Sequence, residues 1–340
     1  MKLTRTVLTA AILTLAAPGL AHATLVYQKG VNKTAIYVAQ DDGSGAKRLA
    51  SGALPHVSRD GQTVAYVANI NGDKPELREI PAAGGLPRVL LSPWRYGIFD
   101  WSPDSRYIAA QTGPLNGKQK LVLIDRTTGT VRTVATGFFS GASFSPAGDQ
   151  LAYSLVASDR QIFPKADLYI APVAGGAAHA ITHDGHSLYP LWGPKQIAYV
   201  RYKRPTGRHR HEDGPKHNLW LINADGSGRK QLTHDRVPFL LTGLVPTDWS
   251  DDGTRLLAQF GGQDTSYAVT VNPATGHERI VGKASQSIVG TSLSRDGSTI
   301  LGYTGGAFED PKLQNTITAP YVGGSPKAIV RRAYFADWTR

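Results

Sequence analysis

The chain has 340 residues, with no Cys, 37 Gly, 21 Pro and a net charge of +11. A chain of this length can bury a large core without disulfides. Its lack of Cys excludes a disulfide framework, a Cys nucleophile, a thiolate metal site and a lipoprotein anchor. So much Gly and Pro among aliphatic and aromatic residues favours many short strands joined by tight turns.

Residues 1–23 have the three parts of a secretory signal peptide. Lys2 and Arg5 supply the positive start, an apolar run follows, and Ala-His-Ala at 21–23 offers the small residues of a cleavage site. The run is shorter than the roughly 20 residues that a membrane-spanning helix needs. We therefore expect a mature chain from Thr24, periplasmic or secreted, whose net charge falls from +11 to +9 with the loss of two cations.

The rest of the chain repeats one pattern, which we call the turn phrase. It consists of an aromatic or apolar residue, a small residue, and then a tight turn rich in Pro, Asp and Gly. Six complete copies begin at Val57, Trp101, Phe144, Trp192, Trp249 and Leu293, with spacings of 44, 43, 48, 57 and 44 residues. An apolar strand, a third alternating strand, a second turn and a fourth strand follow. Four strands at this period indicate a β-propeller blade, because a β-sandwich gives no reason for one phrase to recur.

The two ends of the chain complete the blade count. Residues 336–340 resemble a first strand with nothing after it, and residues 24–27 resemble a second strand with nothing before it. Side by side they make a seventh blade, which covers two otherwise exposed sheet edges. The predicted fold is all-β: residues 24–340 form a single seven-bladed β-propeller of four-stranded antiparallel blades, closed by pairing of the C-terminal strand with the N-terminal strands.

The phrases Trp-Ser-Pro-Asp-Ser at 101–105 and Trp-Ser-Asp-Asp-Gly at 249–253, with strand ends Ile-Thr at 181–182 and Leu-Thr at 232–233, resemble the TolB-type propeller repeat. The resemblance covers residues 24–340. That family includes the propeller half of the periplasmic protein TolB, which binds partner proteins, and propellers that precede the hydrolase domain of prolyl-oligopeptidase-like peptidases. This sequence differs from both, because we find neither the TolB N-terminal domain nor a hydrolase domain, and TolB propellers usually have six blades. The resemblance thus implies a free-standing exported propeller.

Motifs that would identify an enzyme are missing from the sequence. There is no Gly-x-Ser-x-Gly nucleophile turn, no His-Glu-x-x-His pair and no phosphate-binding loop. Oligogalacturonate lyase-like enzymes use a similar seven-bladed shape, but their catalytic residues have no position-by-position match here. Two groups of residues remain as candidates for a site.

The first candidate is an insert in the fourth repeat, residues 201–217, between the predicted second and third strands. Its proposed ligand-binding residues are cations and histidines: Arg204, Arg208, His209, Arg210, His211 and His217. Histidines beside carboxylates can hold a divalent metal, whereas the cations suit an anionic glycan, a lipid head group or an acidic protein. A mobile, solvated loop is the third interpretation, favoured by Gly and Pro at both ends.

The second candidate surrounds the starts of the first strands, on the rim shared with the insert. Asp100, Asp248 and Asp337 each precede a Trp, and His56 occupies the equivalent position before Val57. Converging carboxylates can bind a cation or the amine of a ligand. Alternatively, each Asp accepts backbone N–H bonds at a strand entry. Loops on the same rim add Arg95, Tyr96, His186 and Tyr189.

These features favour an exported cell-envelope binding or scaffold protein that recognises a protein or an anionic ligand with the funnel face of the propeller. The alternative is a polysaccharide lyase-like or other glycan-active enzyme, in which His and Tyr serve as acid and base and Arg neutralises an acidic substrate. We expect an envelope protein or acidic glycan as partner, a monomer, and no nucleic acid or membrane span. No resident cofactor or metal is expected, although a divalent cation at the funnel or the insert stays open.

Overall fold

The structure is a computed structural model that describes residues 24–31, 33–69, 74–92, 97–114, 117–157, 165–206, 213–262, 265–305 and 313–339. The predicted signal peptide lies outside the described residues. So do six of the candidate site residues: Arg95, Tyr96, Arg208, His209, Arg210 and His211. No helix in the described ranges is long and apolar enough to cross a bilayer.

Regular structure in these ranges is all β-strand, apart from one 3-10 turn at Ala284–Gln286. The first fifteen strands are β1 (Thr24–Lys29), β2 (Ala35–Gln40), β3 (Lys47–Ser51), β4 (Ala53–Val57), β5 (Thr63–Ala68), β6 (Glu76–Pro81), β7 (Arg88–Leu91), β8 (Ile98–Trp101), β9 (Tyr107–Thr112), β10 (Gln119–Asp125), β11 (Val131–Gly137), β12 (Ala142–Phe144), β13 (Gln150–Val156), β14 (Ala166–Pro172) and β15 (His179–Ala180). The others are β16 (Ser187–Trp192), β17 (Ile197–Lys203), β18 (Lys216–Ile222), β19 (Lys230–Gln231), β20 (Leu241–Trp249), β21 (Leu256–Gly262), β22 (Ser266–Val271), β23 (Glu278–Ile280), β24 (Val289–Leu293), β25 (Thr299–Tyr303), β26 (Asn315–Pro320), β27 (Lys327–Arg331) and β28 (Tyr334–Trp338).

The strands pair in antiparallel groups of four. Strand β28 pairs with β1 to give the order β28-β1-β2-β3, which we call unit 1. Units 2, 3, 4 and 7 are the separate sheets β4–β7, β8–β11, β12–β15 and β24–β27. Unit 5 (β16–β19) and unit 6 (β20–β23) share one larger sheet, because a parallel bridge between His217 and Gly243 joins β18 to β20.

The middle strands of each unit are buried on both faces, because every unit packs between two neighbours. In β10, the residues from Leu121 to Asp125 are all buried, which explains why these strands are nearly continuous apolar runs. A hydrophobic cluster spans every junction between consecutive units. The cluster between units 7 and 1 contains Leu301, Leu25 and Trp338. The core is therefore distributed over the junctions.

The small residue of the turn phrase has a specific bonding role. The hydroxyl of Ser102 donates to Asp104 at 2.6 Å and accepts the N–H of Tyr107 at 2.7 Å, which closes the turn. Ser58, Ser145, Ser250 and Ser294 make the same pair of bonds in their own turns. The fifth-unit copy has Gly193 instead, because a Cβ there would lie 2.7 Å from the Trp249 indole ring.

Basic side chains join the units near their outer edges. At four junctions a Lys or Arg of a fourth strand donates to a backbone carbonyl in the next unit's second turn. These bonds run from Lys47 to Ala83 at 2.7 Å, from Arg88 to Arg126 at 2.6 Å, from Arg132 to Val173 at 2.7 Å and from Lys230 to Ala274 at 3.3 Å. Between units 4 and 5 the direction reverses, and Arg229 donates to Ile181 at 3.0 Å. We call these bonds the outer ring.

Candidate functional site

The first strands of all seven units surround a cavity of about 370 Å³. A second cavity of about 400 Å³ adjoins it on the side of the turn phrases, which we call the turn face. Both cavities are lined by Arg59, Asp100, Trp101, Ser143, Leu191 and Asp248. The opposite side, where the first strands begin and residues 201–206 and 213–217 of the insert lie, is the entry face. The two cavities together form a channel along the axis of the unit arrangement.

The three candidate carboxylates lie along this channel and point toward the junctions between units. Each accepts the backbone N–H of the next unit's first strand through Oδ2: Val57 to Asp337 at 3.1 Å, Phe144 to Asp100 at 2.9 Å and Leu293 to Asp248 at 2.7 Å. Asp100 and Asp337 also accept the N–H of the Trp that follows them, each at 2.9 Å. The carboxylates thus accept backbone N–H bonds, as one of the two alternatives predicts. They do so at the ends of the first strands and not at the strand entries, and one donor belongs to the neighbouring unit.

The other four junctions are bonded near the axis by different groups. Arg59 donates to Asp100 Oδ1 at 2.7 Å between units 2 and 3, and Trp192 N–H donates to Ser143 Oγ at 3.1 Å between units 4 and 5. The indole N–H groups of Trp249 and Trp338 donate to the carbonyls of Leu191 and Leu293, each at 3.2 Å. We call these seven junction bonds the inner ring. Its members Arg59, Ser143 and Leu191 were absent from the sequence-based candidates.

The channel carries more negative than positive charge. Its lining contains two guanidinium groups, those of Arg59 and Arg295, and four carboxylates, those of Asp100, Asp248, Asp251 and Asp337. His56 Nδ1 lies 3.8 Å from Asp337 Oδ2. Burial raises the pKa of Asp337, and this effect outweighs the opposing influence of His56 and Arg59. The channel thus has the opposite sign of charge from the chain as a whole, which has +11.

Three large residues at the entry end of the first strands have an unfavourable backbone conformation. Leu54, Tyr189 and Phe335 have φ of 52°, 52° and 47° and lie three residues before the first residue of their turn phrases. Gly141 and Gly290 occupy the equivalent position in units 4 and 7. The pairing of first and second strands shifts register near this position in six units. Such bulges redirect side chains.

Two hydroxyl groups that line the 370 Å³ cavity have no hydrogen-bond partner within the described ranges. They are Thr247 Oγ1 and Ser292 Oγ, and Ser292 is only 5% exposed. Buried polar atoms are nearly always paired with protein or with a bound molecule.

His186, Tyr189 and His217 lie on the entry face, outside the lining of the two cavities. His217 is 4% exposed and neither of its ring nitrogens has a partner in the described part of the chain. Burial lowers the pKa of His217 to about 4, so its imidazole is neutral at pH 7. The Tyr189 ring centroid is 5.9 Å from that of His217, whereas His186 packs edge-on against Tyr202 at 4.8 Å.

The insert is shorter than the sequence predicts, because strands β17 and β18 extend into it. Tyr202 pairs with His217 and Lys203 with Lys216, which leaves residues 204–215 as the connection. Its C-terminal base is fixed: Lys216 donates to Asp213 at 2.6 Å and to the carbonyls of Pro238 and Leu241 at 2.7 Å each. The solvated-loop interpretation is wrong for residues 213–217. Arg204 is exposed at the other end of the connection.

The structure divides the sequence-based candidates into two places. His56, Asp100, Asp248 and Asp337 line the channel, and His186, Tyr189, Arg204 and His217 lie on the entry face around unit 5. Across the described ranges, no group of three or more His, Asp or Glu side chains is arranged to hold a metal ion. Arg59 and Ser143 could have been found by writing the turn phrases in register, since Arg59 is the third residue of its phrase and Ser143 directly precedes Phe144.

Comparison with known proteins gives no sequence relative: no protein-family profile and no curated protein matches. The fold does have solved relatives. The propeller domain of the Trilobed protease from Pyrococcus furiosus has a TM-score of 0.64 at 14% identity, covering 92% of this chain and 97% of that one. The fold is a TolB-like β-propeller.

Two further solved structures support that assignment. An oligogalacturonate lyase in complex with manganese has a TM-score of 0.58 at 16% identity, covering 91% of this chain and 85% of that one. TolB from Acinetobacter baumannii has a TM-score of 0.54 at 15% identity, covering 92% of this chain and 82% of that one. At these identities the likeness concerns the fold of the TolB-like propeller and leaves its function to the site.

Proposed function

We propose that this chain is an exported, seven-bladed propeller that acts as a binding or scaffold protein at the cell envelope. The observation that carries the proposal is the composition of the channel. Its carboxylates are bonded to backbone N–H groups, its cavities are lined by a mixture of apolar, small polar and charged residues, and His186, Tyr189 and His217 lie elsewhere. A catalytic site would instead gather acid, base and charge-neutralising groups around one pocket.

The seven-bladed form is supported by the strand pairing and by the junction bonds. Seven groups of four strands follow one another, and a hydrogen bond of the inner ring joins each consecutive pair of units, including units 7 and 1. Export is supported by the signal-peptide pattern of residues 1–23. We take each unit to be one blade, with the first strand innermost.

The partner that fits the entry face is an envelope protein or glycan with acidic groups. Arg204, Arg208 and Arg210 belong to one connection whose base is held by the buried Lys216–Asp213 pair. Because residues 213–217 are already held in place, no ordering entropy is lost at this base when a ligand binds. Guanidinium groups also bind carboxylates in a bidentate manner.

Affinity capture from envelope extract tests the proposal. The exported protein is immobilised beside a variant with Arg204, Arg208 and Arg210 changed to Ala. A control variant removes equal charge from exposed positions elsewhere, with Arg48, Lys327 and Arg331 changed to Ala. We expect the wild type and the control to retain the same acidic protein or glycan and the insert variant to lose it. Equal retention by both variants, or no retained partner, would contradict the proposal.

A lyase-like activity is the second candidate, and the state of His217 favours it. A buried, neutral imidazole with two unpartnered nitrogens beside Tyr189 can accept a proton from a substrate. The test is incubation with uronate polymers and detection of unsaturated products. Products that disappear in His217→Ala and Tyr189→Phe, combined with an empty capture experiment, would replace the binding function with an enzymatic one.

A further inference from the structure

We infer that the 234–240 loop, which precedes β20 on the entry face, docks a protein segment that combines acidic side chains with an aromatic or aliphatic anchor. This inference rests on the proposed binding function, and it names the class of partner and the residues that hold it. The surface consists of two exposed apolar residues, which we call the apolar pair, and three exposed cations: Phe239 and Leu240, with Lys203, Arg204 and Arg236.

The apolar pair is exposed although the loop around it is packed. Phe239 is 49% exposed and Leu240 is 43% exposed. The flanking residues Val237 and Leu241 pack against the hydrophobic cluster that contains Trp249. The exposure is therefore not the result of a loose loop. Adjacent large apolar residues that stay exposed on an anchored loop are typical of a protein-binding surface.

A shielded ion pair holds the loop in place beneath the apolar pair. Lys216 and Asp213 form this ion pair at 2.6 Å. Lys216 Nζ also donates to the carbonyls of Pro238 and Leu241, at 2.7 Å each. Asp213 accepts the N–H of Leu240 at 3.0 Å. The backbone of the apolar pair is thus fixed before a partner arrives, which reduces the ordering entropy lost on binding.

Leu240 has a backbone conformation that disfavours a side chain. Its φ is 64°, in the left-handed region where glycine is preferred. Residues held in such conformations concentrate at functional sites. Because the Leu240 side chain is largely exposed, packing in the core does not explain why leucine stands there. Contact with a docked partner does.

The three cations select the charge of the partner. Lys203 is the last residue of β17, and all three cations are exposed. The described parts of the insert and of the 234–240 loop contain two carboxylates, and both have partners. Asp213 is paired with Lys216, and Asp235 shares a hydrogen bond with Glu278. The accessible charge beside the apolar pair is therefore positive, which is complementary to an acidic segment.

A second copy of this chain and an anionic membrane fit the surface less well. Two copies would bring their cations together, because a symmetric dimer places the same patch on both sides of the interface. Membrane binding favours a long amphipathic face, whereas this surface has two apolar residues on one fixed loop. A protein segment supplies carboxylates and an apolar anchor together.

Panning of a displayed library of random peptides on the full exported chain tests the class of partner. We expect the enriched peptides to carry Asp or Glu beside an aromatic or aliphatic residue. A synthetic copy of the most enriched peptide is then titrated by fluorescence anisotropy, and its affinity should fall as salt is added. Enrichment of basic or uncharged peptides, or no enrichment over the bare support, would overturn the inference.

Three variants locate the bound peptide. Phe239→Ser and Leu240→Gly should each lower its affinity by about tenfold. Leu240→Gly also relieves the positive φ, so its melting temperature should be retained. Leu86→Ser is the matched control, because Leu86 is 92% exposed in unit 2 and should bind the peptide like the wild type. If one loop variant fails to fold, the other decides. Wild-type affinity in a folded loop variant, or an equal loss in the control, would overturn the inference.

The envelope capture separates failure of this inference from failure of the proposed function. A captured glycan, or a captured protein that Phe239→Ser retains in full, would overturn the docking surface and leave the binding function in place. Sedimentation with phosphatidylglycerol vesicles that is lost in Phe239→Ser would assign the loop to a membrane and also overturn it. An empty capture, beside a peptide that requires the apolar pair, would contradict the envelope role and leave the docking surface in place.

Discussion

Within the described residues, the outer ring joins five of the seven consecutive pairs of units that the inner ring joins. The three bonds from backbone N–H groups to Asp carboxylates in the inner ring have the opposite polarity to the bonds of the outer ring. Near the axis, carboxylates such as Asp248 accept N–H groups from the next unit's first strand, and Asp248 is 1% exposed. At the outer edge, Lys and Arg side chains donate to turn carbonyls, and the bond from Lys47 to Ala83 is exposed. The difference arises because the last residues of first strands, such as Leu293, present N–H groups to the preceding unit, whereas the second turns present carbonyls.

Burial decides how much each ring contributes to stability. Removing a buried acceptor leaves an N–H group unpaired away from water, whereas an exposed carbonyl exchanges its partner for water.

The outer ring also changes the interpretation of the net charge. Several of the cations behind the value of +11 are structural donors. The insert, by contrast, contains cations such as Arg204 that lie outside the outer ring.

The largest expected effect is at the inner ring. Asp248→Ala should lower the free energy of unfolding by roughly 3 kcal/mol, because the Leu293 N–H loses its charged acceptor. Urea denaturation measures this change. Asp248→Asn is the control, since its amide oxygen can still accept that bond, and it should lose less than half as much. Equal losses would mean that charge, and not the hydrogen bond, stabilises the junction.

The next effect concerns packing between units 5 and 6. Gly193→Ala should destabilise by about 2 kcal/mol, because the added Cβ meets the Trp249 ring that donates to Leu191. Gly261→Ala is the matched control, because no atom lies within 4 Å of its Cβ position. Thermal unfolding of both variants measures the difference. A neutral Gly193→Ala would show that Trp249 is free to move and contributes little to the inner ring.

A carboxyl pair near the outer edge should make stability depend on pH. Burial and the neighbouring Asp235 raise the pKa of Glu278 from 4.5 to about 7. The folded protein therefore binds more protons than the unfolded chain between these pH values, and this group's contribution to stability falls as pH rises through that window. Glu278→Gln cannot ionise, so it should match the wild type below pH 4.5 and be more stable above pH 7. We expect a difference of roughly 1 kcal/mol, less than the full pKa shift would give, because water screens this half-buried site. A difference in unfolding free energy that stays constant with pH would contradict this.

The smallest effect is expected at the outer ring. Arg132→Ala removes the 2.7 Å bond to the Val173 carbonyl at a site that water can reach. We expect a loss of about 0.5 kcal/mol in urea denaturation. Arg132→Lys keeps a donor and should lose still less. A loss as large as that of Asp248→Ala would show that the two rings are equivalent and would remove the contrast between them.

Much of the fold could be predicted from the sequence, because each unit is specified by its own residues. Each unit has its own period-two strands, its own Gly-containing turn and its own turn phrase, for example residues 101–105. These features involve residues within about 45 positions of one another in the chain. The all-β architecture and the TolB-like resemblance are confirmed by the strands and by the solved propellers. The three channel Asp residues were predicted at the starts of the first strands, but each is the penultimate residue of its first strand, at the end next to the turn phrase.

The candidate site was less predictable, because it is built between units. Two examples are the bond between Asp100 and Phe144 and the anchoring of Lys216 by the loop that contains Pro238. Both depend on how consecutive units pack. The positive φ of Leu54 and Phe335 likewise follows from bulges that only strand pairing produces. Local sequence therefore determined the repeating unit and its turns. The tertiary structure decided which groups meet, since those contacts join residues more than 20 positions apart and form only when the units are assembled.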